Sequence, residues 1–139
     1  MVYPGSLQFL YFDDLYGEAK EKRCLTVSVN PYIFLLISSK VPNLIRNISG
    51  KSERQVVIDH QNHSFILNYN SYIDCTEPHP LHIDELQRQM QDEHKKVRGN
   101  ASQEVLNRVI DATDGSPILS TRIQGFILDS IRPLVEHSA

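Results

Sequence analysis

Arg23, Ser38, Ser39 and Lys40 bracket the stretch RCLTVSVNPYIFLLISSK, whose interior is β-rich and whose middle carries Asn30-Pro31. A guanidinium donates a planar fork of hydrogen bonds to phosphate or carboxylate, hydroxyls add single hydrogen bonds, and an ammonium adds charge. If the two apolar runs form an antiparallel hairpin, the start of the first lies beside the end of the second. The four residues then meet at one edge of a sheet, next to Lys20 and Lys22, and the chemistry they allow is binding of a phosphate. Strand ends are also commonly polar and exposed with no chemical role. The residues alone leave both readings open.

Two other groupings carry reactive side chains. Cys75, His79, His82 and Asp84 offer soft and imidazole ligands at short spacing, but the pattern matches no familiar four-ligand zinc framework, and Pro78 and Pro80 fit a linker. No metal and no cofactor are expected. His60 and His63 flank a Gln-Asn pair, and histidine is the commonest general acid or base. Polar turns between strands also collect histidines, and the turn reading is preferred for this pair.

The elements that must position these groups divide the chain in two. SLQFLYF (6–12) is rich in aromatic and branched residues and predicts a strand, followed by a polar connector over 13–23 interrupted by Gly17. Leu25, Val27 and Val29 alternate with Thr26 and Ser28, the pattern of a strand with one buried face. YIFLLIS (32–38) is continuously apolar and predicts a strand buried on both sides. A polar stretch with a turn at Gly50 separates it from QVVID (55–59), and SFILNY (64–69) and SYIDC (71–75) complete five or six short strands. Such spacing suggests a small barrel or strongly curved sheet rather than βαβ units.

After Cys75 the pattern becomes helical. Ile83, Leu86, Met90 and Val97 recur at helical spacing through IDELQRQMQDEHKKV. Ser102 is placed to cap QEVLNRVIDAT, whose Val105, Leu106, Val109 and Ile110 share a face before Asp114-Gly115. Ser116-Pro117 predicts the start of a third helix carrying Leu119, Ile123, Phe126, Ile127 and Ile131, with Pro133 ending it. The expectation is one α+β domain, with residues 1–75 a β-barrel part and 80–134 a helical part packed on it.

Composition bounds the function. The 139 residues are 40% hydrophobic and 22% charged, and no run approaches the roughly 20 apolar residues that span a bilayer. The first residues lack the basic-then-apolar pattern of a signal peptide, so a cytoplasmic protein with no membrane contact is expected. Cys24 and Cys75 sit in apolar β-type runs, where a reduced thiol packs as a small hydrophobe. A net charge of −3 argues against non-specific coating of nucleic acid. Residues 1–75 carry seven Lys/Arg against seven Asp/Glu, and residues 76–139 carry seven against ten, so an anionic ligand belongs with the first half.

The order of features over residues 5–75 resembles the PemK/MazF-like toxins of bacterial toxin–antitoxin systems. Gly5 opens the first strand and a long connector follows. An arginine enters the second strand in KRCLTVSV, a hydroxyl and a basic residue end the third in FLLISSK, and NSYIDC resembles the family's serine-led strand. The helix around 102–113 matches the family's C-terminal helix. Cys24 stands where that family usually has proline, Ser6 where an acidic residue is common, and Ser38 where threonine is commoner.

The resemblance implies a small SH3-like antiparallel β-barrel followed by C-terminal helices, acting as a metal-independent endoribonuclease on single-stranded RNA. It places the catalytic arginine on Arg23 and the catalytic hydroxyl on Ser38, with Ser39 its nearest competitor. Lys20, Lys22, Ser39 and Lys40 would contact the RNA backbone, with Tyr16 a base-stacking platform. Homodimerisation and a cognate antitoxin protein follow from the same resemblance. The alternative is a catalytically inactive toxin-like barrel that binds protein or nucleic acid; a third reading is a protein-interaction partner whose helices, above all ILSTRIQGFILDSI (118–131), dock a dimer mate or an antitoxin.

Overall fold

A computed structural model of the chain describes residues 1–13, 16–40 and 52–135. The turn expected at Gly50 lies outside the described residues. The strands are β1 (Ser6–Asp13), β2 (Ala19–Val29), β3 (Tyr32–Ser38), β4 (Gln55–Ile58), β5 (Ser71–Asp74), β6 (His79–Pro80) and β7 (Gly99–Asn100). The helices are α1 (Ile83–Gln89), α2 (Gln103–Thr113) and α3 (Thr121–Val135). The architecture is α+β, a curled antiparallel half-barrel sheet followed by helices.

The sheet runs β4-β5-β3-β2-β1-β7, and β6 also pairs with β3. Curling shows at the outer edge of β3. Ile33 and Phe34 pair with β6, whereas Ile37 and Ser38 pair with β5. One strand edge therefore serves two partners that diverge, as a strongly bent sheet requires.

Both faces of the sheet are covered, which explains why β2 and β3 are apolar along their length. On one side Leu7, Leu25, Leu35 and Ile37 pack with Val105, Val109, Ile127 and Ile131 of α2 and α3. On the other, Leu10, Phe12, Cys24 and Phe34 pack with Leu86 and Met90. Thr26 and Ser28, read from their alternation as an exposed face, are buried. They are tolerated because they are satisfied. Gln8 Nε2 donates to Thr26 Oγ1 at 3.1 Å, Ser6 Oγ lies 2.9 Å from the same oxygen, and Ser28 Oγ donates to the Pro31 carbonyl at 2.6 Å.

Four further expectations are corrected. The 13–23 connector is mostly strand: β1 and β2 pair outward to Asp13 and Ala19, so Lys20, Glu21 and Lys22 stand on an exposed ribbon. SFILNY is not a strand but part of a turn-rich loop, whose Ile66 and Leu67 amides both donate to the His63 carbonyl. The first helix stops at Gln89 instead of reaching Val97. Gln89 forms a two-point clamp on Tyr11, accepting from its N–H at 2.7 Å and donating to its C=O at 3.0 Å. Asp92 then caps a separate 3₁₀ turn over Glu93–Lys95.

The third helix starts late and ends late. Ser116 Oγ accepts from the amides of Ile118 and Leu119, making a turn that Gln124 closes by donating to the Ser116 and Leu119 carbonyls. Ser120 is the actual cap, accepting from Ile123 N. Pro133 does not stop the helix, because in the last turn it removes a single main-chain hydrogen bond. Val135 beyond it is buried, and Gln103 Nε2 donates to the Leu134 carbonyl at 2.9 Å. The cap at Ser102 is as expected, accepting from Val105 N.

Candidate functional site

Register brings the two ends of the hairpin together. Arg23 pairs with Ile37, one residue before Ser38, and Ser38 pairs on its other edge with Tyr72 of β5. A cleft of about 340 Å³ opens at these strand ends, lined by Glu21, Lys22, Arg23, Ser38, Ser39 and Tyr69 among others. Arg23 is half-buried, while Ser38 and Ser39 are exposed to the cleft.

Two contacts hold Arg23. Its Nε donates to the Ile66 carbonyl at 2.7 Å, and its guanidinium carbon lies 5.2 Å from the centre of the Phe9 ring, its cross-strand partner on β1. Ring and carbonyl satisfy one N–H and one face of the guanidinium. Among the described residues no carboxylate pairs with it and no hydrogen bond engages its terminal nitrogens, which leaves the fork available to an anion.

Phe9 is itself crowded by cationic or ionisable groups. His94 stacks on it with ring centroids 4.9 Å apart, and the Arg98 guanidinium carbon lies 5.1 Å from its centre. Arg98 Nη2 donates to His94 Nδ1 at 3.0 Å, so His94 Nε2 carries the proton it shares with Glu21 Oε1 at 3.1 Å. Lys95, almost fully buried, donates to the other Glu21 oxygen and lies 4.3 Å from the centre of the Tyr11 ring. Burial pushes the Glu21 carboxyl upward, but the hydrogen bonds from Lys95 and His94 outweigh it and hold the group below the usual carboxylate range. Glu21, the one acidic group among the described residues that line the cleft, is thus neutralised by its own partners, which removes most of its opposition to an incoming anion.

The loop that grips Arg23 is itself fastened. His63 is fully buried, accepts from Ser102 N through Nε2 at 3.0 Å, and uses Nδ1 on the Asp59 carbonyl at 2.8 Å. Both nitrogens are committed to main chain, so His63 ties the loop to the start of α2. The Phe65 ring lies on Gly99, where an added Cβ would come within 2.6 Å of it. His60 is exposed, and neither histidine lines the cleft.

Of the residues expected to bind substrate, Lys22 and Ser39 line the cleft, whereas Lys20, Lys40 and Tyr16 are exposed outside its lining. Lys20 lies 3.8 Å from Glu18. Phe9, Glu21, Ile66 and Tyr69 also surround Arg23 or line the cleft, and the sequence pattern points to none of them. A register built from Leu7↔Leu25 places Phe9 opposite Arg23, but nothing in the sequence marks Ile66 or Tyr69 once SFILNY is read as a strand.

The remaining reactive groups are spent on structure. Among the described residues, no group of three His, Cys, Asp or Glu is arranged to hold a metal ion. His82 caps α1, and His79 packs edge-on to Phe12 at 5.6 Å. Cys24 is reduced and buried, and burial pushes its thiol up to about 12 despite a hydrogen bond from Gln8. It is therefore no nucleophile near neutrality. No described helix is long and apolar enough to cross a membrane.

No protein-family model matches the chain, and no curated protein sequence does so.

Proposed function

We propose that the protein is a cytoplasmic, toxin-like endoribonuclease that cleaves single-stranded RNA at the Arg23–Ser38 cleft. The observation that carries the reading is that Arg23 and Ser38, from two strands, line one solvent-open cleft while Arg23 keeps its terminal nitrogens clear of any carboxylate among the described residues. The curled antiparallel sheet with helices after it fits the SH3-like barrel of the PemK/MazF-like toxins, and the reading takes its reaction from that resemblance.

In the reaction, an RNA 2′-oxygen attacks the adjacent phosphorus and the P–O5′ bond breaks, leaving a 2′,3′-cyclic phosphate. The proton lost by the 2′-hydroxyl is balanced by one gained at the departing 5′-oxygen. Arg23 stabilises the charge that builds on the phosphoryl oxygens, and Ser38 donates a hydrogen bond that orients the phosphate. Arginine is a poor base, so Arg23 acts through charge rather than by taking the 2′ proton. Lys22 adds cationic charge at the same mouth. The resemblance extends the proposal to a homodimer, a cognate antitoxin protein and independence from metal.

The experiment is cleavage of single-stranded RNA by purified wild type beside Arg23→Ala, with and without chelator, with RNA ends mapped and growth followed on expression. Wild type should leave 5′-hydroxyl and 2′,3′-cyclic phosphate ends in chelator, and Arg23→Ala should not. Absence of cleavage by wild type under all conditions sinks the enzymatic reading. Retained RNA binding in that case would leave a binding module, which the engagement of Arg23 Nε by a carbonyl also suits.

A further inference from the structure

Tyr69 keeps 71% of its surface exposed while lining the cleft that holds Arg23 and Ser38. Its backbone is nevertheless fixed. The buried Ser71 hydroxyl donates to the Tyr69 carbonyl at 2.9 Å, and Asn70 Oδ1 accepts from His60 N at 2.8 Å. Ser71 itself is held in β5 opposite Ile58. A large ring on an anchored backbone, left in solvent at the mouth of a cationic cleft, is a preorganised flat surface, and its hydroxyl is not needed to fill any core.

The same loop serves both Arg23 and the lining of the cleft. Ile66 holds Arg23 through its carbonyl, and three residues later Tyr69 presents its ring. Their Cα atoms are at most about 11 Å apart along the chain, so one short segment carries both the group that orients Arg23 and the ring. Asn68 also lines the cleft and is exposed, and its amide offers a donor and an acceptor side by side.

We infer that Tyr69 is the stacking platform for a nucleobase of the single-stranded RNA whose phosphate sits on Arg23 and Ser38, with Asn68 reading the edge of that base. The inference rests on the RNA reading above and moves base recognition from Tyr16 to Tyr69. Tyr16 is more exposed but lies outside the lining of the cleft. Base–aromatic stacking tolerates any base, so Tyr69 supplies affinity and Asn68 the preference.

The test is binding of short, cleavage-resistant 2′-fluoro RNA oligonucleotides to wild type, Tyr69→Phe and Tyr69→Ala, followed by anisotropy, with an abasic nucleotide stepped through the strand. Tyr69→Ala should weaken binding about tenfold, and Tyr69→Phe should stay within about twofold of wild type. One abasic position should weaken wild type about tenfold yet leave Tyr69→Ala nearly unaffected. Asn68→Ala should flatten the preference among bases at that position. Equal binding by wild type and Tyr69→Ala overturns the inference and leaves the RNA reading standing, as does an abasic penalty of the same size in both proteins. Equal RNA binding together with loss of a protein partner would assign the ring to a protein surface and overturn it too. If wild type binds no RNA, both fall. Because the ring is exposed, thermal melting of Tyr69→Ala should match wild type and rule out misfolding as the cause.

Discussion

Arg23 Nε donates to the main-chain carbonyl of Ile66 at 2.7 Å, so a strand residue whose charge faces a cleft is oriented by a neutral loop group. A carbonyl orients a guanidinium without cancelling its charge, as a carboxylate would. Arg23→Lys keeps the charge but loses the fork and the Nε–H. We expect cleavage to fall at least about 100-fold in Arg23→Lys, the scale of losing one positioned transition-state donor. Its melting temperature should change little, because one hydrogen bond is worth about 1 kcal/mol. Comparing cleavage rates with thermal melts checks both halves.

Ser38 and Ser39 are adjacent and both line the cleft, yet the proposed resemblance selects Ser38. Ser38→Ala should lower the cleavage rate by about 10- to 100-fold, and Ser39→Ala by less than about threefold. Neither should shift stability beyond about 0.5 kcal/mol, since both side chains are exposed. A reversed order would move the catalytic hydroxyl to Ser39.

On the proposed reading Phe9 acts through Arg23, whose guanidinium it contacts, and is a positioning residue. Phe9→Leu keeps an apolar side chain against the core but removes the ring that Arg23, Arg98 and His94 contact. Cation–π contacts at partly desolvated sites are worth about 1 kcal/mol, so kcat should fall several-fold while KM moves less. A purely structural role would instead lower the melting temperature and leave kcat per folded molecule unchanged.

The Glu21 carboxyl is held below the ordinary glutamate value of 4.5 in the fold, so its contribution to stability is complete above that value and is lost as pH falls through the folded value. Asp59 and Glu85 are shifted the same way, by hydrogen bonds from Asn62 and Arg88 respectively. Denaturant unfolding should therefore show stability dropping as pH is lowered below about 4.5. Glu21→Gln leaves the buried Lys95 ammonium without its main carboxylate and should cost about 3 kcal/mol at neutral pH. It should also flatten, though not abolish, the acid limb.

His63→Ala removes the link between the loop and the start of α2 and leaves Ser102 N without its acceptor. A loss of about 2 to 3 kcal/mol is expected from the cavity and the orphaned amide. Because the Ile66 carbonyl belongs to the same loop, the folded fraction should also cleave RNA more slowly. Activity measured per folded molecule, well below the melting temperature, separates the two effects.

Alternation and apolar runs made β1 to β3 and the α2 helix legible, and Ser102 was readable as a cap because its partner is only three residues away. Where expectation and structure part, a distant contact overrides local pattern. Gln89 clamps Tyr11 where α1 ends, Lys95 pairs with Glu21 on the extended β1–β2 ribbon, and His63 fastens the loop that holds SFILNY to Ser102. Alternation reports polarity and so predicts Thr26 and Ser28 on an exposed face, but Ser6 and Gln8 satisfy Thr26 internally and the Pro31 carbonyl satisfies Ser28.

By itself the sequence determined that a hairpin would carry Arg23 at one end and Ser38 at the other, since both runs are apolar between those residues and antiparallel pairing does the rest. Only the tertiary structure decided what surrounds them. The Ile66 carbonyl and the exposed Tyr69 share one loop, and with the Phe9 ring and the neutralised Glu21 they come from three separated parts of the chain. Their meeting depends on sheet curvature and loop anchoring, which no local periodicity encodes.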